Sequence, residues 1–90
     1  EEQLEEVINM VVYPNPARDI LTVKLGQVYG EQVSISIIDI SGQILSSEIL
    51  NATPEELVYT QDVSHFDAGV YFVNVSVDNH KTKVVKLIKS

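Results

Sequence analysis

Apolar and polar residues alternate along most of this chain, and a period of two is typical of β-strands with one buried face. The clearest case is residues 32–39, where Val33, Ile35 and Ile37 share one face and serines share the other. Valine and isoleucine dominate the apolar residues, and β-branched side chains favour strands over helices. The same period predicts further strands at residues 19–25, 43–50, 56–61, 70–77 and 81–89.

Turn-forming residues separate these strands. Asp39-Ile40-Ser41-Gly42 and Asp78-Asn79 predict tight hairpins, because Asp, Asn and Gly tolerate the positive φ angles that such turns require. Within the strand at residues 43–50, the adjacent apolar pairs Ile44-Leu45 and Ile49-Leu50 interrupt the alternation. We therefore expect a β-bulge or a change of face in that strand.

The first thirteen residues support two interpretations. Leu4, Val7 and Ile8 fall on one face of a short helix, but a linker that runs into a first strand at residues 9–13 explains the sequence equally well. Tyr13-Pro14-Asn15-Pro16 ends either element, because two prolines remove two backbone donors and restrict the residues before them.

Six strands, with a seventh at the start, and turn signals about every 8–12 residues predict an all-β fold. No segment has the pattern of a crossover helix, so we expect mostly antiparallel pairing. Ninety residues provide apolar side chains for one shared core. We predict an Ig-like antiparallel β-sandwich of about seven strands, with Val63 and Phe66 of the loop at residues 62–67 packed against its core.

The net charge of −7 is unevenly distributed. Residues 81–90 carry four lysines and no acid, whereas residues 1–80 carry all 13 acids against Arg18 and Lys24. The chain lacks the large cationic clusters that nucleic acids or anionic lipids require, so we expect neither partner. The lysines of the last strand either protect its edge from aggregation or present it to a partner. We expect two of them on each face, and the solvent-facing pair is the better candidate for recognition.

The chain has no cysteine, which excludes disulfides, thiolate metal sites and a thiol nucleophile. No apolar run approaches the roughly 20 residues that cross a bilayer, and the acidic start is unlike a signal peptide. If the protein is exported, we expect the export signal to lie upstream, with the acidic start as a linker from a longer polypeptide.

Candidate catalytic groups are few. His65 and His80 are 15 positions apart on separate loops or turns, and no serine occupies a nucleophile elbow. Glu55 and Glu56 are neighbours, so they face opposite sides of a strand and do not easily share a proton. We therefore predict no enzymatic activity, no metal and no cofactor.

The remaining polar and aromatic residues have structural interpretations. Aspartates in turns without the spacing of a calcium loop are expected to cap those turns through their carboxylates. Tyrosines spread singly along strands do not form a sugar-binding platform, and we expect three of them in or beside the core. The turn aspartates are Asp39, Asp62, Asp67 and Asp78, and the three tyrosines are Tyr13, Tyr59 and Tyr71.

Four segments resemble one family in order and spacing. Val12-Tyr13-Pro14-Asn15-Pro16-Ala17-Arg18-Asp19 is similar to its opening signature, and Ile38-Asp39-Ile40-Ser41-Gly42 resembles its D-x-x-G hairpin. Residues 63–73 resemble its L-x-x-G-x-Y block, and a basic strand over residues 81–89 completes the match. Residues 12–90 thus resemble the type A C-terminal sorting domain of the Bacteroidota type IX secretion system. Phe66 and Asp67 stand where Leu and Pro are common in that family.

The resemblance implies that residues 12–90 are a sorting domain and residues 1–11 a linker to an upstream cargo. Such domains cross the periplasm, are recognised by an outer-membrane translocon, and direct the cargo to the cell surface. A sortase-like cysteine protease removes many of them there, so the domain is a substrate and an address. The motif positions that it offers for recognition are Pro14, Asn15, Pro16, Asp39, Gly42, Gly69, Tyr71, Lys81, Lys83, Lys86 and Lys89.

The fold class alone leaves two other functions open, an adhesion or carbohydrate-binding module and a structural spacer. The final strand is expected to offer its edge to a receptor by strand addition, and the Tyr71 hydroxyl to hold the loop before it. An isolated domain is also expected to pair edge to edge, or to exchange strands, with a second copy.

Overall fold

Seven β-strands in two antiparallel sheets account for the secondary structure of residues 9–26, 31–52, 55–78 and 81–90, which a computed structural model describes. The predicted all-β sandwich is confirmed, and each predicted strand is present within one residue at either end. Residues 1–8, on which the alternative helix depended, lie outside the described residues. The strands are β1 (Met10–Tyr13), β2 (Ile20–Leu25), β3 (Gln32–Asp39), β4 (Ile44–Asn51), β5 (Leu57–Asp62), β6 (Gly69–Val77) and β7 (Lys81–Lys89).

The strands divide into a three-stranded sheet, in the order β1-β2-β5, and a four-stranded sheet, in the order β4-β3-β6-β7. All pairs of strands within the sheets are antiparallel, as short connections without crossover helices require. Contacts between β1 and β7 place these two strands on the same side of the sandwich. On the opposite side, the Ser46 hydroxyl donates to Gln61 Oε1 at 3.2 Å and thereby links β4 to β5.

The predicted irregularity in β4 is a β-bulge at Leu45. Ile37 pairs with Ser46 while Ile38 pairs with Ile44, so one residue of β4 has no counterpart on β3. A bulge lets neighbouring apolar residues lie on a single strand without a reversal of its buried face. The pairing therefore reconciles the broken alternation with a continuous strand.

Alternate residues of the central strands form the core between the sheets. Val33, Ile35 and Ile37 are almost fully buried, as their spacing predicts, and each such side chain contributes about 1.5–3 kcal/mol by leaving water. Val63 is fully buried and Phe66 packs against the core, so both loop residues occupy their predicted positions. The remaining buried apolar residues are Met10, Val12, Ala17, Leu21, Val23, Leu25, Tyr71, Val73, Val75, Val77 and Leu87.

The prediction that three tyrosines lie in or beside the core is wrong for Tyr13. Its side chain is 44% exposed on the outer face of the three-stranded sheet, because the alternation of β1 buries Met10 and Val12 instead. Tyr71 is buried and Tyr59 is partly buried, as expected.

The strand registers define two ends of the sandwich. At the end that we call proximal, β1 begins at Met10 opposite Leu25, and the link between β4 and β5 starts after Asn51. At the end that we call distal, β3 ends at Asp39 and β6 begins at Gly69. The upstream chain therefore enters the sandwich at the proximal end.

Candidate recognition surface

Asp39 organises the hairpin between β3 and β4 at the distal end. Its Oδ1 accepts hydrogen bonds from the Ser41 hydroxyl at 2.7 Å, the Ser41 amide at 2.9 Å and the Gln43 amide at 3.0 Å. Gly42 then adopts a φ of +93°, a conformation that side chains rarely allow. The hydroxyl of Ser41 is the main cause of a lowered Asp39 pKa, with the Gln43 amide second. The predicted capping role of Asp39 is confirmed.

The same arrangement recurs at the end of β5, where Asp62 Oδ1 accepts the hydroxyl of Ser64 at 2.6 Å and its amide at 2.9 Å. The hydroxyl of Ser64 is again the main cause of a lowered Asp62 pKa. Asp78, with a φ of +52°, instead accepts the amides of Glu31 and Gln32, and so ties the turn after β6 to the start of β3. The predicted capping of their own turns is thus confirmed for Asp39 and Asp62.

Tyr71 holds the loop that precedes β6. Its hydroxyl donates to the carbonyl oxygen of Asp67 at 2.6 Å, as the sequence predicts, while Phe66 lies against its ring at 5.3 Å between centroids. Gly69 reaches a φ of +154° between the loop and the strand. Burial, with a further contribution from the charges of Asp67 and Asp39, raises the pKa of Tyr71. The ring is therefore held in place and its hydroxyl stays protonated.

Two shallow depressions flank Tyr71. The first, of about 350 Å³, is bordered by the ring of Phe66, by His65 and by the bulge residue Leu45. The second, of about 310 Å³, lies along the Asp39 hairpin and the backbone before β6. Asp39 and Asp67 border both depressions, so this end of the sandwich presents two carboxylates around a buried aromatic ring.

Residues 14–17, which we call the crossing segment, connect β1 of one sheet to the edge of β7 in the other. The Asn15 side chain bonds like a strand residue: its Nδ2 donates to the Lys86 carbonyl and its Oδ1 accepts the Ile88 amide, both at 2.9 Å. Ala17 continues the pairing, donating to the Ile88 carbonyl at 2.8 Å and accepting from the Ser90 amide at 2.9 Å. The peptide bonds before Pro14 and Pro16 are both cis. The first motif is thus fixed to the last strand.

The lysines of β7 do not form a patch. A strand rises about 3.4 Å per residue, so Lys81 and Lys89 are separated by about 27 Å along β7. Lys89 is only 7% exposed and donates from Nζ to the Ser90 carbonyl at 3.2 Å, whereas Lys86 is exposed on the outer face. Lys83 shares the inward side with Val85 and Leu87. The prediction of two lysines on each face is wrong. Odd-numbered residues of β7 face inward, so Lys83 and Lys89 share the inward side and Lys86, which is even-numbered, lies on the outer face.

The outer face of the four-stranded sheet changes character from one end to the other. Near the distal end, the register aligns Ile44, Ile38, Phe72 and Lys86 across all four strands. The next outward row consists of Ser47, Ser36, Asn74 and Val84 and is mostly polar. Exposed apolar side chains therefore adjoin the motif residues at the distal end.

Most of the motif positions predicted for recognition come together at this end, although they come from four separate parts of the sequence. Lys83, towards the other end of β7, does not join them, and the side chain of Lys81 lies outside the described residues. Ala17 and Ser90 complete the pairing with β7, and no pattern in the sequence indicates either contact. The positions that converge are Pro14, Asn15, Pro16, Asp39, Gly42, Gly69, Tyr71, Lys86 and Lys89.

Among residues 9–26, 31–52, 55–78 and 81–90, no group of three or more His, Asp or Glu side chains is placed to hold a metal ion. The same residues include no helix with the length and hydropathy needed to cross a membrane. Glu55 and Glu56 are exposed just before β5, and Glu56 lies 3.5 Å from the Lys24 ammonium. His65 packs edge-on against Phe66, and His80 lies outside the described residues.

Comparison with known proteins gives consistent matches over nearly the whole chain. A family model described as the secretion system C-terminal sorting domain matches residues 11–90. The chain is 27% identical over 84 residues to an ulvan lyase, NLR42, of Nonlabens ulvanivorans, and the match covers 93% of this chain but 15% of the lyase. Its fold is similar to part of dimeric latent PorU from Porphyromonas gingivalis, with a TM-score of 0.73 and 18% identity over 92% of this chain and 9% of PorU.

Proposed function

Because this chain belongs to the family of secretion system C-terminal sorting domains, we propose that the type IX outer-membrane translocon reads it at the distal end of the sandwich. The chain is a sorting signal for type IX secretion, which directs an attached polypeptide to the cell surface or out of the cell. Domains of this family are typically not catalysts, and we propose that this one likewise acts as an address.

The observation that carries the proposal is the convergence of the motif residues. Asn15 and Lys86 are 71 positions apart in the sequence, yet a hydrogen bond joins them beside the end where the Asp39 hairpin and Tyr71 lie. Their assembly there depends on the complete fold, so a receptor that contacts this end distinguishes a folded domain from an unfolded one. Because the chain enters at the proximal end, an attached cargo leaves the distal end accessible.

Three finer features of the pathway remain proposals. The domain folds in the periplasm before recognition, residues 1–11 join it to a cargo, and a sortase-like protease cuts in or upstream of that segment. The chain spans 15% of the lyase and 9% of PorU, which supports a larger parent polypeptide. Exposed termini and linkers are the preferred sites of proteolysis, which favours a cut outside the sandwich.

The proposal is tested by fusing residues 1–90 to a periplasmic reporter in a host that has type IX secretion. The wild-type fusion should reach the surface or the medium, and its retention inside the cell would contradict the proposed function. Lys86→Ala removes the exposed cation beside the distal end and should reduce export. Lys24→Ala removes an exposed cation from the other sheet and should leave export unchanged.

A further inference from the structure

The two sheets of the sandwich have four edges, of which three are short or partly closed. β1 has four residues and ends at Pro14, while β5 has six and ends where Asp62 caps the following turn. On β7, the crossing segment occupies the edge from Lys86 to Ser90. Only β4 offers an edge of eight residues on which the described part of the chain places no backbone partner.

The register identifies which backbone groups of β4 point away from the sheet. Ala52 donates to the Glu31 carbonyl at 2.8 Å, so even-numbered residues at this end of β4 face β3. Glu48, which pairs with Ile35, follows the same parity. The amides and carbonyls of Ser47, Ile49 and Asn51 therefore point away from β3, towards the open edge of the sheet.

The side chains of β4 differ from those of a protected edge. Ile44 and Ile49 are 61% and 62% exposed, and Glu48 is the one charged residue of the strand. Proteins usually protect edges with lysine, proline or a covering segment, and β7 has both lysines and the crossing segment. An exposed apolar edge of this length is a template for strand addition.

The charge of the molecule indicates the chemistry of an added strand. Residues 1–80 hold all 13 acids of the chain, and Glu48 lies on the inward side of β4, in register with Ile35. Side chains that face each other on paired strands stabilise the pair when their charges are opposite or when both are apolar. A complementary strand therefore has a basic residue beside Glu48 and apolar residues beside Ile49.

Building on the proposed sorting function, we propose that the β4 edge receives an extended segment of the secretion machinery that alternates basic and apolar residues. The added strand bonds to the outward amides and carbonyls of Ser47, Ile49 and Asn51. It extends the outer face of the four-stranded sheet next to Ile44. This edge is distinct from the crossing segment and from the β7 edge that the sequence favours.

Proline substitution tests the backbone contact directly. Ile49→Pro removes an amide hydrogen that has no acceptor within the described fold, and proline is tolerated on edge strands at such positions. Ile49→Thr keeps the amide and the β-branched shape, and therefore controls for the side chain. Val84→Pro makes the equivalent change on the free part of the β7 edge. The backbone groups of Lys86 and Ile88 point away from β6 to Asn15, and Val84, which is also even-numbered, has the same orientation.

In the reporter fusion described above, Ile49→Pro should lower export at least about tenfold, because one backbone hydrogen bond is lost and the ring obstructs pairing. Val84→Pro should export within about twofold of the wild type. Ile49→Thr should lose clearly less export than Ile49→Pro, because it keeps the backbone bond and gives up only apolar contact, and Glu48→Lys should lower export severalfold. Normal export of Ile49→Pro overturns the proposal, as does a loss confined to Val84→Pro, and both leave the sorting function intact. Failure of the wild-type fusion contradicts the sorting function instead.

Folding of each purified variant is checked by circular dichroism. If Ile49→Pro unfolds the domain, Ser47→Pro takes its place, since its amide also points outward. Unfolding by both prolines would show that these amides bond within the domain and would overturn the assignment. Normal export of Glu48→Lys overturns the basic character of the added strand, and self-association through β4 in light scattering would instead identify a second copy as its occupant.

Discussion

Replacement of Asn15 by alanine provides the sharpest test of how the first motif stabilises the last strand. The change removes the hydrogen bonds to the Lys86 carbonyl and from the Ile88 amide, both 2.9 Å long, and leaves the pairing of Ala17 intact. Each bond contributes about 0.5–1.5 kcal/mol net. Both freed backbone groups lie at an exposed edge where water replaces part of the loss, so we expect a cost of about 1–2 kcal/mol.

For a domain of this size, a cost of about 1–2 kcal/mol lowers the melting temperature by roughly 5–15 °C. Thermal unfolding followed by circular dichroism measures this shift, with Asn51→Ala on the exposed edge of β4 as the matched control. The amide of Ile88 should also exchange with deuterium about five- to thirtyfold faster. A melting temperature within about 1 °C of the wild type, together with unchanged exchange at Ile88, would refute the role assigned to Asn15.

Three further substitutions test the core and the distal end by thermal and pH-dependent unfolding. Tyr71→Phe loses the bond to Asp67 and should cost about 1 kcal/mol. The pKa of Tyr71 is raised in the folded domain, so the unfolded chain loses the phenolic proton at a lower pH. The free energy of unfolding of the wild type should therefore fall above about pH 10, and the variant should lack this decrease. An identical alkaline slope would contradict this. Asp39→Asn should weaken the dependence of the free energy of unfolding on pH in acid. The Asp39 carboxylate, whose pKa is lowered by Ser41, stabilises the fold above about pH 4 and loses that effect as the pH falls. An unchanged acid midpoint in the variant would rule out that contribution. Leu87→Ala, in the fully buried core, should cost about 2–5 kcal/mol in urea unfolding, and a cost below about 1 kcal/mol would mean that β7 is loosely packed.

Alternation predicted the strands well because both sheets bury one face. The pattern of Val33, Ile35 and Ile37 has only one face that can enter a core, so a one-residue error of register would expose all three. The broken pattern at Ile44-Leu45 predicted a bulge or a change of face, and the pairing with β3 shows that it is a bulge. Local turn chemistry was equally informative, because the contacts of Asp39 lie within four residues.

The sequence was less informative where the outcome depends on distant pairing. The partners of Asn15 are more than 70 positions away, and no local pattern distinguishes an amide that bonds to β7 from one that only occupies a turn. Tyr13 was expected in or beside the core, yet β1 buries the face that carries Met10 and Val12 and leaves Tyr13 exposed. For the lysines of β7, the buried Leu87 decides which face is inward, so Lys83 and Lys89 lie on the inward side and Lys86 on the outer face.

The crossing segment has a consequence for chains that are cut short. Among the described residues, Asn15 and Ala17 form their hydrogen bonds with Lys86, Ile88 and Ser90, so these bonds cannot form until the last strand has been synthesised and paired. A polypeptide truncated before Lys86 has no means of assembling this part of the distal end, however well its upstream portion folds. If the translocon reads the distal end as proposed, it therefore recognises only a complete and folded chain, and truncated chains are excluded from export.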